Sequence, residues 1–220
     1  MHPDFLNLIF SKNTMRSFLS IYKSIYKRLS SIVWKFRLES FGHNSFIYKP
    51  LYISGTNIHI GDNVYVQYRS WLASKSFAGG EKALLKIGNG CVIGHFNEIY
   101  STHSIVIENN VLTADRVYIS DNIHGYENIE IPVLYQPIVQ KKEVRIGEGS
   151  WLGVGVSVIG ASIGKHCIIG SNAVVTKDIP DYCVAVGIPA KIIKRYNPEI
   201  GKWLKTNPDG SFKEMKSGKI

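Results

Sequence analysis

The chain has 220 residues, 45% hydrophobic and 20% charged, a globular composition that excludes disordered, collagen-like and fibrous classes and leaves room for one large domain or two small ones. No apolar run approaches the ~18–20 residues of a membrane-crossing helix. The first residues also lack a secretory pattern, because Lys and Ser interrupt every apolar stretch and no small-residue cleavage site follows. Much of the net charge of +9 sits in residues 1–50, where Lys12, Arg16, Lys23, Lys27, Arg28, Lys35, Arg37 and Lys49 face only Asp4 and Glu39. An anionic partner is therefore expected for that segment and not for the body.

Cys91, Cys167 and Cys183 are odd in number and widely spaced, with no C-x-x-C. That pattern argues against a disulfide framework or structural zinc and sets the expectation of a cytoplasmic protein.

In chain order, residues 14–38 are predicted to be a helix. Phe18, Tyr22, Ile25, Leu29, Ile32 and Phe36 step by three and four and fall on one stripe, with most of the basic residues off it. Two readings remain open for this stripe: packing on its own domain or another subunit, or lying in an anionic membrane interface at the inner face of the membrane.

From residue 58 a six-residue period takes over. It runs Ile60, Val66, Leu72; Ile87, Ile93, Ile99; Ile107, Thr113, Ile119; Ile146, Leu152, Val158; and Ile163, Ile169, Val175. Gly follows the aliphatic residue at 61, 88, 94, 147, 153, 164 and 170. Small or β-branched residues stand four places on, as at Val64, Ser70, Cys91, Val111, Val117, Ser150, Val156, Ser162, Cys167 and Ala173. Neither a strand period of two nor a helix period of 3.6 gives this spacing. One short strand plus a corner per hexapeptide, three to a triangular coil, does. Glycine is expected to permit the tight corners.

Two insertions interrupt the repeat, one at roughly 78–86 and a larger one from Gly125 to about Glu143 with Pro132 and Pro137. Loops of the second length are usually functional or disordered. Repeats end at Asp178-Ile179-Pro180, and 190–220 is expected to be a polar, fraying tail. The division is thus a basic helical segment 1–45, a β-helix domain 46–189 and a tail 190–220.

The stretches Ile146-Gly-Glu-Gly-Ser-Trp-Leu-Gly, Ile163-Gly-Lys-His-Cys-Ile-Ile-Gly-Ser-Asn-Ala-Val-Val-Thr-Lys-Asp-Ile-Pro and Val186-Gly-Ile-Pro-Ala-Lys resemble the hexapeptide-repeat acyltransferases. The likeness covers about 45–195. It is nearest to the branch of maltose, galactoside and surface-polysaccharide O-acetyltransferases. The resemblance implies an all-β fold, a left-handed parallel β-helix, assembled as a homotrimer with active sites between subunits. It also implies acetyl-CoA as donor, a sugar or glycan acceptor, and no metal. The chain departs from the family pattern at Glu108, Ala114 and Ser120, where Gly is commoner, and at the five-residue step from Val158 to Ile163.

Acetyl transfer to a hydroxyl needs a base, and neutral histidine suits that work near pH 7. His124, closing Tyr118-Ile-Ser-Asp-Asn-Ile-His-Gly just before the large insertion, looks like the family's base; the bland alternative is an exposed corner histidine. Asp121 could orient His124 or only stabilise the corner, and the sequence leaves these equal. Trp151 resembles the tryptophan lining the acetyl and pantetheine channel in similar enzymes, with a packing role as the alternative. The resemblance carries CoA binding to Gly153, Ser171, Thr176, Lys177, Lys191 and Lys194, the last two also readable as tail charges. Asn97 and His103 break the small-apolar rule. Asn97 lies near an acceptor-contacting asparagine of the galactoside enzymes, and His103 reads as structural.

Rival readings are a sugar-nucleotide N-acyltransferase, a non-catalytic repeat scaffold or anionic-surface module, a γ-type carbonic anhydrase and a nucleic-acid binder. Residues 1–45 are too short for the nucleotide-binding domain common in the first. No two histidines have the five-residue spacing the zinc enzyme needs, and no nucleic-acid motif accompanies the charge.

Overall fold

The computed structural model describes residues 12–76, 82–207 and 209–213. Three parallel sheets form the faces of a triangular coil. The first face carries Ser40–Phe41, Ile58–Ile60, Leu84–Ile87, Ser104–Ile107 and Val144–Ile146. The second carries Phe46–Ile47, Tyr65–Val66, Val92–Ile93, Leu112–Thr113, Trp151–Leu152, Ile168–Ile169 and Cys183–Val186. The third carries Tyr52–Ser54, Trp71–Ser74, Glu98–Ser101, Tyr118–Ser120, Ser157–Ile159 and Val174–Val175.

The six-residue period becomes three stacked ladders. Ile60, Ile87, Ile107 and Ile146 are direct register partners along the first face. Val66, Ile93, Thr113, Leu152 and Ile169 pair along the second, and Leu72, Ile99, Ile119, Val158 and Val175 along the third. Every one of these side chains is buried. Each coil alone exposes its apolar rungs, so stability comes from stacking them.

The glycines act differently from expectation. A Cβ on Gly147 would lie 2.4 Å from the carbonyl carbon of Gly164 in the next coil, so this position is kept bare by the close approach of two backbones. The left-handed corner falls two residues later, at Gly149 with φ +70, and is equally held by Asn63, Asn110 and Asn172 elsewhere.

Both segment boundaries move. The coil begins at Ser40, because Phe41, Ile47 and Ile53 pair with Ile60, Val66 and Leu72. At the other end, the expected fraying tail instead forms antiparallel strands Lys191–Asn197 and Lys202–Lys205. These cover a sheet edge whose backbone groups would otherwise lack partners. The expected insertion at 78–86 is shorter than the sequence suggested, since Leu84 already opens a strand; residues 77–81 lie outside the described residues. At the shortened corner, Ala161 takes the buried place expected for Ser162.

The N-terminal helix, α1 (Lys12–Arg37), packs on the first coil. It does so with the face opposite the apolar stripe: Trp34 and Leu38, four residues apart, join the core cluster. Ser31 Oγ donates to the Ser45 carbonyl at 3.2 Å, and the Lys49 N–H donates to the Tyr26 hydroxyl at 3.1 Å. The stripe itself is exposed at Tyr22, Ile25, Leu29, Ile32 and, most of all, Phe36 at 86%; the Phe18 side chain lies outside the described residues. Packing of this stripe on its own domain is therefore corrected. No helix of the described residues is long and apolar enough to cross a membrane.

Candidate active site

His124 ends a short strand, Asn122–His124, that leaves the third face and pairs antiparallel with Ile138–Gln140, so the large insertion folds back as a hairpin. Gly125 N–H donates to the Pro137 carbonyl at 2.9 Å and closes its base. Beyond it, Pro132 leads into a single 3-10 turn, Val133–Tyr135, and Gln136 braces the loop by donating to the carbonyls of Asn128 and Ile131 at 2.8 and 2.7 Å. The return is fixed to the coils. Lys141 N–H donates to the Asp121 carbonyl at 2.7 Å, Gln140 Nε2 to the Thr102 carbonyl at 3.0 Å, and Lys142 pairs with Asp178.

This arrangement sets the exposed His124 imidazole at a cleft of about 750 Å³ between the hairpin and the third face. Leu134, Gln136 and Ile138 supply the hairpin wall. Trp71, Glu98, Tyr100 and Tyr118 supply the coil wall. Trp71, Glu98 and Tyr118 are consecutive register partners, so their side chains form one outward row, and the Trp71 and Tyr100 rings meet edge to face at 5.8 Å. The Trp71 indole N–H is buried and has no hydrogen-bond partner among the described residues. None of these residues was singled out from the sequence. The available signal was an aromatic or acidic residue just before the third-face aliphatic, at Tyr52, Trp71, Glu98 and Tyr118.

Asp121 sits three residues from His124 but faces the other way. It is fully buried, and its carboxylate accepts the N–H groups of Thr102 (2.8 Å), His103 (2.9 Å) and Ser104 (2.8 Å) and the hydroxyls of Ser101 and Thr102. Burial pushes its pKa up, but those hydrogen bonds, the Thr102 and His103 N–H groups first, more than offset that and leave it below the ordinary carboxylate value. With both oxygens engaged by the corner, orientation of His124 by this carboxylate is corrected to a structural role. His103 is exposed and contributes its backbone N–H.

Asn97 is also placed inside. It is fully buried and donates to the carbonyls of His95 and Ala114, at 3.2 and 2.8 Å. It is absent from the cleft's lining, so its expected acceptor contact is corrected to a corner brace. A His–carboxylate pair the sequence did not suggest lies on a neighbouring corner, His95 Nδ1 to Asp115 Oδ1 at 3.0 Å.

The expected CoA-binding residues divide between places. Trp151 is 45% exposed on the second face, where Trp151, Ile168, Val184 and Lys194 form one register row. Gly153 is tightly covered, since a Cβ there would lie 2.8 Å from Ser171 N and 2.9 Å from Ser171 Oγ. Ser171, Thr176, Lys177, Lys191 and Lys194 are exposed, and none of the three lysines is in an ion pair among the described residues. Free cations and an exposed ring fit a phosphate-bearing thioester. Trp151 does not line the His124 cleft. Cys91 and Cys167 are buried, with thiols pushed by burial up to about 11, which leaves them poor nucleophiles.

Among curated proteins, 164 residues align at 32% identity with an Escherichia coli (strain K12) protein named as a lipopolysaccharide biosynthesis O-acetyl transferase, covering 71% of this chain and 81% of that one. The chain belongs to the hexapeptide-repeat acetyltransferases. This acyltransferase also aligns at 30% identity with the galactoside O-acetyltransferase of Lactococcus lactis, over 81% of this chain and 68% of that one. A Mycobacterium tuberculosis acetyltransferase matches at 40% identity over 64% of this chain, and the match spans only 43% of that longer relative. No family model matches.

Among solved structures, an AntD N-acyltransferase mutant from Bacillus cereus with dTDP and coenzyme A superposes with TM-score 0.63 at 20% identity, covering 76% of this chain and 89% of that one. A hexapeptide-repeat acetyltransferase of Vibrio cholerae with acetyl coenzyme A gives 0.52 at 20% identity, covering 76% and 75%. These likenesses show the core fold, the left-handed parallel β-helix, to which this chain adds α1 and the hairpin after His124.

Proposed function

We propose that this acyltransferase uses acetyl-CoA to O-acetylate a sugar hydroxyl of a bacterial surface polysaccharide or its precursor. The observation that carries the proposal is His124, exposed on a braced hairpin and facing a cleft whose other wall is a row of rings and one carboxylate. Aromatic faces cover the C–H faces of a pyranose, and Glu98 is placed to accept its hydroxyls. The names of the Escherichia coli and Lactococcus lactis relatives point to the same acceptor class.

Acetyl-CoA would supply an acyl carbon activated as a thioester. His124 takes the acceptor hydroxyl proton as that oxygen bonds to the acyl carbon; the C–S bond then breaks, and the proton passes from His124 to the departing sulfur to release the CoA thiol. No covalent enzyme intermediate is required. Trp151 screens the thioester from water, while Lys177, Lys191 and Lys194 hold phosphates.

One chain does not bring Trp151 into the His124 cleft, which supports a homotrimer in which one subunit's third face meets another's second. Acetyl-CoA is a cytoplasmic metabolite, and the reaction is placed there.

Calorimetric titration with acetyl-CoA tests the donor, since saturable binding near one site per chain is expected; no binding to correctly assembled protein removes acetyl-CoA from the proposal. Transfer assays with hydroxyl-bearing and amino-bearing sugars then separate O- from N-acetylation, and exclusive turnover of amines overturns the O-acetyl assignment.

A further inference from the structure

We propose that the outward face of α1 docks on an anionic phospholipid bilayer, the helix lying along the surface with its apolar stripe in the headgroup boundary. Ile21, Ile25, Leu29, Ile32, Val33 and Phe36 are all exposed. They run along one side of the helix for about 24 Å at 1.5 Å per residue. The opposite side is already committed to the coil through Trp34 and Leu38. The helix thus caps the coil with one face and leaves a larger apolar face open.

Charge selects the partner. The sequence of α1 contains Lys and Arg but no Asp or Glu. Along one edge of the stripe, between α1 and the Gly42–Ser45 turn, runs a groove of about 560 Å³ lined by Arg28, Lys35 and His43 with no carboxylate. Ile32 belongs to both the stripe and the groove, so the cations border the apolar face directly. Neither Arg28 nor Lys35 is in an ion pair among the described residues. Self-association through this face would bring like charges together and bury them unpaired. A bilayer with anionic headgroups satisfies both features at once, apolar side chains entering the boundary and cations meeting phosphates.

The test is co-sedimentation of the full chain with vesicles of phosphatidylcholine alone and of phosphatidylcholine with phosphatidylglycerol in equal parts. It reads no acyl transfer, so it stands or falls separately from the reaction. Wild type is expected to bind the anionic vesicles at least ten-fold more tightly than the neutral ones. Leu29→Asp with Phe36→Asp should abolish binding. Arg28→Gln with Lys35→Gln should weaken it by about 30-fold, at about five-fold for each basic residue. These positions are exposed, so circular dichroism and thermal transitions should match wild type. Equal binding to both vesicle types, or none, overturns the proposal. So does a fall in oligomeric mass by light scattering for the Leu29/Phe36 variant, which would make the face a subunit contact.

Discussion

The carboxylate of Asp121 accepts the backbone N–H of Thr102 at 2.8 Å, one coil away, while its neighbour three residues on, His124, points into the cleft. Its other bonds to His103 and Ser104, and the bond from Lys141 N–H to its carbonyl, make it the knot between a coil corner and the returning hairpin. Removing the carboxylate in Asp121→Ala leaves the N–H donors of Thr102, His103 and Ser104 unpaired, and the two buried ones, on Thr102 and Ser104, cost ~1–3 kcal/mol each. A loss of about 3–5 kcal/mol is expected by denaturant unfolding, and a variant within 1 kcal/mol of wild type would contradict the knot.

The same carboxylate makes a pH prediction. Its folded pKa lies below the ordinary value, so its stabilisation is present above the unfolded pKa of ~3.9 and is lost as pH falls through the lower folded value. Thermal midpoints should therefore decline below about pH 4 in wild type. Asp121→Asn should flatten that limb; an unchanged slope would assign the acid sensitivity to other groups.

His124→Ala should lower turnover by about 10²–10⁴ while leaving acetyl-CoA affinity, read by calorimetry, unaltered. Trp71→Ala should raise the acceptor KM without changing acetyl-CoA affinity. Trp151→Ala should do the reverse. If both tryptophans moved the same constant, the division between acceptor cleft and donor face would be wrong.

Gly147→Ala forces a Cβ to within 2.4 Å of the backbone of Gly164. Neither side is a flexible side chain that can yield, so a loss of about 1–3 kcal/mol is expected, as for overpacked cores. The measurement is the urea midpoint at unchanged slope. A neutral outcome would mean that adjacent coils separate more easily than their register implies.

Cys91 and Cys167, pushed by burial to about 11, hold only about one thiolate in a thousand at pH 8. Iodoacetamide under native conditions should leave activity intact, with labelling appearing only on unfolding. Rapid inactivation at native stability would reopen a cysteine's role.

The six-residue period alone determined the coil, its three ladders and the burial of all fifteen rungs, because inward rungs in a stacked coil have a fixed apolar requirement that spacing records. It also placed the extruded segment, since an insertion shows as a gap in the period. Phe41, Ile47 and Ile53 obey the same step and were legible too, though two carry no following glycine. The direction in which Asp121 and Asn97 point was decided by tertiary structure alone: a polar residue near a corner is satisfied by whichever coil lies beside it, and sequence does not name that neighbour. The outward row of Trp71, Glu98 and Tyr118 follows from their places just before the third-face rungs, but the hairpin that turns the row into one wall of a cleft was decided only in the tertiary structure. For α1, periodicity gave an apolar stripe but not its surroundings. The coil end presented a narrow surface, Trp34 and Leu38 fitted it, and the broader stripe was left facing out.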